Sequence, residues 1–165
     1  MVFEFEAAHI HFKCMIKNIF FLVVANLTTI SFLHGQHALL KDDQRKSIYA
    51  LIDHYTKARE TRDTILLKNI LTTDIDQLVS TGEWRDGINS SVQGMLASSS
   101  SNPGTRTLNI EKIRPLTQQS AIVDCKYIIQ SPGGTIRTMW STFIVVLDNG
   151  KWKISAIRNM LPSGN

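Results

Sequence analysis

From residue 42 onward, apolar side chains recur first at spacings of three and four and later at alternate positions, so a helical first half gives way to strands. Ile48, Leu51, Ile52, Tyr55 and Ala58 form one stripe, and Asp42 or Asp43 stands where a cap belongs. This predicts an amphipathic helix of about 18 residues. Arg59-Glu-Thr-Arg-Asp63 interrupts it, and Asp63 starts a shorter helix bearing Ile65, Leu66, Leu67, Ile70 and Leu71. Thr72-Thr-Asp-Ile-Asp76 reads as a turn, and Gln77-Leu-Val-Ser80 as a short strand ending at Gly82. The loop Glu83-Trp-Arg-Asp-Gly87 leads to a third helix over Ile88–Leu96. Ser98-Ser-Ser-Ser-Asn-Pro-Gly104 is expected to end that helix as a surface loop, with a phosphosite or ligand lid as the alternatives.

Four β segments follow: Thr105–Arg114, Ser120–Gln130, Thr135–Asp148 and Lys151–Leu161. Short connections at Pro115 to Gln119, Ser131 to Gly134 and Asn149-Gly150 imply antiparallel neighbours, and Asn-Gly supplies the positive-φ pair of a tight hairpin. Helices first and an antiparallel sheet afterwards define an α+β domain with the helices on one face. In the last strand, strict alternation puts Trp152, Ile154, Ala156, Arg158 and Met160 on one side. A charge among core residues needs a partner or a ligand, which singles out Arg158. Arg106 shares parity with Leu108 and Ile110 in the same way. The two arginines could converge on an anion, or each could close a strand end by pairing with Asp86, Glu83 or Asp124.

Charge and cysteines narrow the class. Eighteen basic against 14 acidic residues leave +4, scattered without a basic run, so no nucleic-acid partner is expected. Met15-Ile-Lys-Asn followed by Ile19–Leu33 and His34-Gly35 has the plan of a signal peptide. It is read as cleaved after Gly35, for export to the periplasm or beyond. The run is long and broken by Asn26, Thr28 and Thr29, so an uncleaved membrane anchor is the alternative. Residues 1–14 do not resemble a leader's start, and translation is expected to begin at Met15. Residues 36–165 are then one domain of about 130 residues. Cys14 precedes the leader's apolar run, leaving Cys125 without a disulfide partner; its setting in Ala121–Ile129 is that of a core thiol. His37 and His54 are too few for a metal set, and no Gly-rich phosphate loop follows a strand, so no cofactor is expected.

Three stretches carry a resemblance: Tyr55 to Asp63, Gln77-Leu-Val-Ser-Thr-Gly-Glu-Trp-Arg-Asp86, and above all Trp152-Lys-Ile-Ser-Ala-Ile-Arg-Asn-Met-Leu-Pro162. Over about residues 42–162 the chain resembles the nuclear-transport-factor-2-like (SnoaL-like) cone-fold family. The resemblance implies a cone-shaped barrel of curved antiparallel sheet wrapped around the N-terminal helices. It also implies a cavity open at one end and a homodimer through the outer face of the sheet. The family includes ketosteroid isomerases, cyclases, dehydratases and pocket-bearing modules without catalysis. The isomerase tyrosine matches Tyr55, but the base position falls at about Val79 or Ser80 and the late acid near Ser141, so neither carboxylate is present.

The expected ligand-binding residues are therefore Tyr55, Trp84, Arg106, Trp140 and Arg158, holding a small anionic and partly apolar molecule. Tyr55 is also readable as core alone. Trp84 is either a cavity cap or a loop anchor beside a surface pair of Arg85 and Asp86. An enzymatic alternative, a cofactor-independent isomerase, cyclase or dehydratase, uses Tyr55 with Asp86 or His54 as base. A third reading has the cavity collapsed and only the sheet face used for association.

Overall fold

The computed structural model describes residues 40–162, and the leader read over residues 1–35 lies outside the described residues. Helix α1 spans Asp42–Thr61 and buries Ile48, Leu51, Ile52, Tyr55 and Ala58, the stripe expected from spacing, together with Arg59. Its cap differs from expectation. Lys41 is the cap residue and its N–H donates to the Gln44 side chain at 3.0 Å, while Asp42 and Asp43 lie in the first turn, where acids favour the helix dipole. Arg62 leaves the helix in the left-handed region, and Asp63 caps α2 (Thr64–Ile70) by accepting from the Leu66 N–H at 2.9 Å.

The predicted turn at Thr72–Asp76 is instead strand. β1 covers Leu71–Leu78 and pairs with the three-residue β2, Trp84–Asp86, which stands where a loop was expected. Polar residues on the exposed face made this stretch look like a turn, whereas fully buried Ile75 and Gln77 pin its other face to the core. Helix α3, Gly87–Ser101, also overruns its expected end and passes through the serines. Two of their hydroxyls are bonded: Ser100 Oγ donates to the Leu96 carbonyl at 3.1 Å, and buried Ser99 receives a bond from Arg59.

Strands β3 (Thr105–Thr117), β4 (Ser120–Gln130), β5 (Ile136–Asp148) and β6 (Lys151–Met160) form the expected antiparallel meander. The sheet order is β2-β1-β6-β5-β4-β3, with β1 joined to β6 in parallel. Pro115 falls inside β3, where an edge strand tolerates a missing N–H. At the β5–β6 turn Asn149 and Gly150 have φ of 49° and 76°, the pair of positive values a tight hairpin needs. The core joins α1 to the sheet through Ile48, Ile52, Phe143, Val145 and Ile154, with the Tyr55 ring edge-on to Phe143 at 5.3 Å.

One irregularity redirects the last strand. Val145 pairs with Ile154 but Ile144 pairs with Ala156, so Ser155 is an extra, bulged residue of β6. A one-residue insertion reverses the alternation beyond it. Trp152, Ile154, Ile157 and Asn159 therefore point inward, and Arg158 does not join them, contrary to the parity reading. Arg158 instead grips Asp76 of β1 with both terminal nitrogens, at 3.0 and 2.8 Å, and lies over the Trp84 ring at 4.8 Å from its centroid. Asp76 faces Asp86 across β1 and β2, so this cation also offsets two neighbouring carboxylates.

Two outcomes follow from this packing. A partly exposed ion pair and a cation–π stack are together worth about 1 kcal/mol, so Arg158→Ala should lower Tm by about 4 °C; an unchanged Tm would show that the Asp76 and Trp84 contacts are idle. Burial, reinforced by Asp124 and Glu111, pushes the Cys125 thiol up to about 12 from an ordinary 9.0. The folded chain holds this proton more tightly than the unfolded one, so its contribution is intact below pH 9.0 and is lost as pH rises toward about 12. Stability should fall by up to about 1.4 kcal/mol per pH unit across that window, and the fall should be shallower in Cys125→Ala, as read by urea titration at stepped pH.

Candidate functional site

The inward side chains leave a cavity of about 320 Å³ at one end of the sheet, between β1, β4, β5 and the last turn of α3. Its polar wall comes from Arg59, Gln77, Arg85, Tyr127, Arg137 and Asn159, and Ile129 and Met139 add apolar surface.

Arg59 is the deepest charge. It follows Ala58 in the last turn of α1, four residues after Tyr55, and is only 5% exposed. Nη1 donates to the Tyr55 hydroxyl at 2.8 Å and Nε to Ser99 Oγ at 3.1 Å. Both partners are neutral hydroxyls, and no carboxylate among the described residues pairs with it. Burial opposes its charge, yet the phenol oxygens of Tyr55 and then Tyr127 outweigh that, and its pKa lies above the ordinary value. Burial in turn raises Tyr127 above the ordinary phenol, against the pull of Arg59 and Arg106, so it presents a neutral hydroxyl.

Arg85 is the centre of β2 and points inward while Trp84 and Asp86 point out. Its guanidinium lies against α3 at Gly94, where any Cβ would collide with Nε; only glycine gives this arginine its place. Nε and Nη2 donate to the two carboxylate oxygens of Glu83, at 2.8 and 3.4 Å. Those bonds hold the exposed Glu83 carboxyl below its usual range. Gln77 of β1 is 2% exposed, and its Oε1 is buried without a partner. Across the cavity, Asn159 Oδ1 accepts from Ser141 Oγ at 2.6 Å, and at the rim Arg137 Nη2 donates to Ser80 Oγ at 3.1 Å. Three guanidinium groups and one carboxylate thus line the site.

The residues singled out from sequence are not brought together. Tyr55 lies one shell behind the wall, bonded to Arg59. Arg158 and Trp84 stack on the outer face, where Trp140 is also exposed beside Met160. Arg106 is buried with its Nε unpartnered, and its two terminal nitrogens donate to the carbonyls of Asn102 and Gly104, at 2.6 and 3.0 Å, so both are taken by backbone. The expected convergence of Arg106 and Arg158 is therefore absent. Asp86 stands exposed at the N-cap position of α3 without a side-chain cap bond, and exposed His54 borders a separate groove beside the β5–β6 turn. Arg85 does not pair with Asp86 but with Glu83. Arg59 was visible in the sequence as a continuation of the Ile52 and Tyr55 stripe. Arg85 and Asn159 were not, because their facing depends on a three-residue strand and on a bulge.

No protein-family model and no curated protein matches the sequence. Solved structures do match. A domain of unknown function with a cystatin-like fold from Nostoc punctiforme aligns with a TM-score of 0.67 at 14% identity, over 75% of this chain and 80% of that one. An uncharacterized protein with a cystatin-like fold from Caulobacter vibrioides gives 0.63 at 20% identity, over 72% and 89%. An NTF2-like protein of unknown function from Pseudomonas putida gives 0.64 at 12% identity, over 75% and 90%. Helices followed by a curved, unclosed and mostly antiparallel six-stranded sheet, matched to these structures, give this chain the NTF2-like, cystatin-like cone fold of the α+β class.

Proposed function

We propose that the domain binds a small anionic, partly apolar molecule in the open end of the cone, with Arg59 and Arg85 as its anion clamp. The observation that carries this reading is Arg59: a guanidinium buried to 5% exposure whose fork meets only neutral hydroxyls. A buried charge without a counter-charge is unfavourable, and an incoming carboxylate supplies one, with charge-assisted bonds worth about 1.5–3 kcal/mol each. Met139 and Ile129 offer the apolar surface for the rest of the molecule.

Binding is favoured over catalysis by the same wall. Its carboxylate, Glu83, is ion-paired and held in its charged form by Arg85, which makes it a weak proton acceptor. Asp86 and His54, the bases of the enzymatic alternative, do not line the cavity. The leader over residues 15–35 would deliver the domain outside the cytoplasm, and the exposed Trp140 and Met160 support association of two copies through the outer sheet face.

The test is a calorimetric titration of the protein with small carboxylates. Arg85→Gln should weaken binding by about 10-fold or more. Gly94→Ala, which displaces Arg85 while keeping it, should weaken binding in the same direction. Arg158→Ala should leave affinity unchanged. Equal affinity in wild type, Arg85→Gln and Gly94→Ala would remove the clamp from the site.

A further inference from the structure

The cationic cavity does not end at its own apolar wall. A second hollow of about 290 Å³ adjoins it and shares Ser101, Asn102, Ile129 and Arg137 with it. Its remaining walls are Pro103, Ser131, Pro132 and Thr135. Apart from Arg137 at the junction, no charged residue lines this second lobe, and its bulk comes from Pro103, Ile129 and Pro132. Charge is thus concentrated in the first lobe, and the second is mainly carbon surface.

The second lobe is built to keep its shape. One side is the Asn102–Gly104 segment, which Arg106 fixes by donating to two of its carbonyls. Gly104 approaches the Gln130 carbonyl so closely that any Cβ would collide with it, which fastens this segment to the end of β4. The other side is the β4–β5 turn. Ser131 N donates to the Thr135 carbonyl at 2.9 Å, and Thr135 N to Ser131 Oγ at 3.1 Å. A pre-shaped apolar lobe spares a ligand the cost of ordering it. Buried Arg106 thereby has a role without touching an anion: it positions a wall.

We propose that the two lobes form one elongated site for an amphiphilic carboxylate. The carboxylate lies at Arg59 and Arg85, and an unbranched apolar tail passes Ile129 beneath the Arg137 stem into the lobe of Pro103 and Pro132. This rests on the anion-clamp reading above and adds the ligand's shape and class.

The experiment is a calorimetric series of straight-chain carboxylates from acetate to decanoate, each below its micelle-forming concentration, on the full chain. Each methylene that enters the second lobe should tighten binding about fourfold, with a plateau once the lobe is filled. Thr135→Trp, which fills the lobe from an exposed turn, should flatten the series while leaving acetate affinity unchanged. Decyltrimethylammonium, with the same tail and the opposite charge, should not bind. A flat series in wild type with acetate binding intact overturns the tail lobe and leaves the clamp standing. Failure of every carboxylate to bind overturns both, and equal binding of the ammonium compound overturns the oriented amphiphile.

Discussion

A guanidinium taken out of water at the end of α1 constrains the whole open end of the cone. Arg59 cannot be buried without hydrogen bonds, and its partners come from two helices: Tyr55 in its own and Ser99 in α3. Through Ser99 it ties the overrunning last turn of α3 to α1, and through Tyr55 it reaches the Phe143 ring and the core. An apolar residue in its place could pack against Tyr127 and Met139 and close the space. Arg59 instead presents a charge to that space, and the cavity wall around it is polar.

Most of the fold was legible because it is specified locally. The α1 stripe, the Asp63 cap, the Asn149-Gly150 turn and the meander are carried by residues close together in sequence, and each appears where spacing and turn chemistry placed it. The failures have a common cause. Thr72–Asp76 looks like a turn until Ile75 and Gln77 find the core and β6 supplies a parallel partner more than 70 residues away. The serine run looks like a helix terminator until Arg59 bonds Ser99. In both cases a tertiary contact overrides a local propensity.

The bulge at Ser155 explains why the site was less legible than the fold. Alternation is a sound guide only while the ladder is regular, and one inserted residue exchanges the two faces for everything beyond it. Arg158 was read as the inward charge and is the outward one; its neighbour Asn159, which strict alternation would turn the other way, lines the cavity. The same logic applies to Arg85, which a loop assignment left without a face. The proposed anion clamp thus rests on Arg59 and Arg85 rather than on Arg106 and Arg158, for a geometric rather than a chemical reason.

The family resemblance puts the isomerase base position at about Val79 or Ser80 and the late acid near Ser141, where this sequence has no carboxylate. Val79 and Ser80 line the cavity, and Ser141 bonds Asn159 in its wall, and none of the three is an acid. Arginines stand around them instead. Positive potential stabilises an anion already formed and lowers the pKa of any carboxylic acid that enters, including a base placed there to abstract a proton. The anion-clamp proposal draws on that potential, because a positive cavity favours the charged form of a carboxylate over its acid.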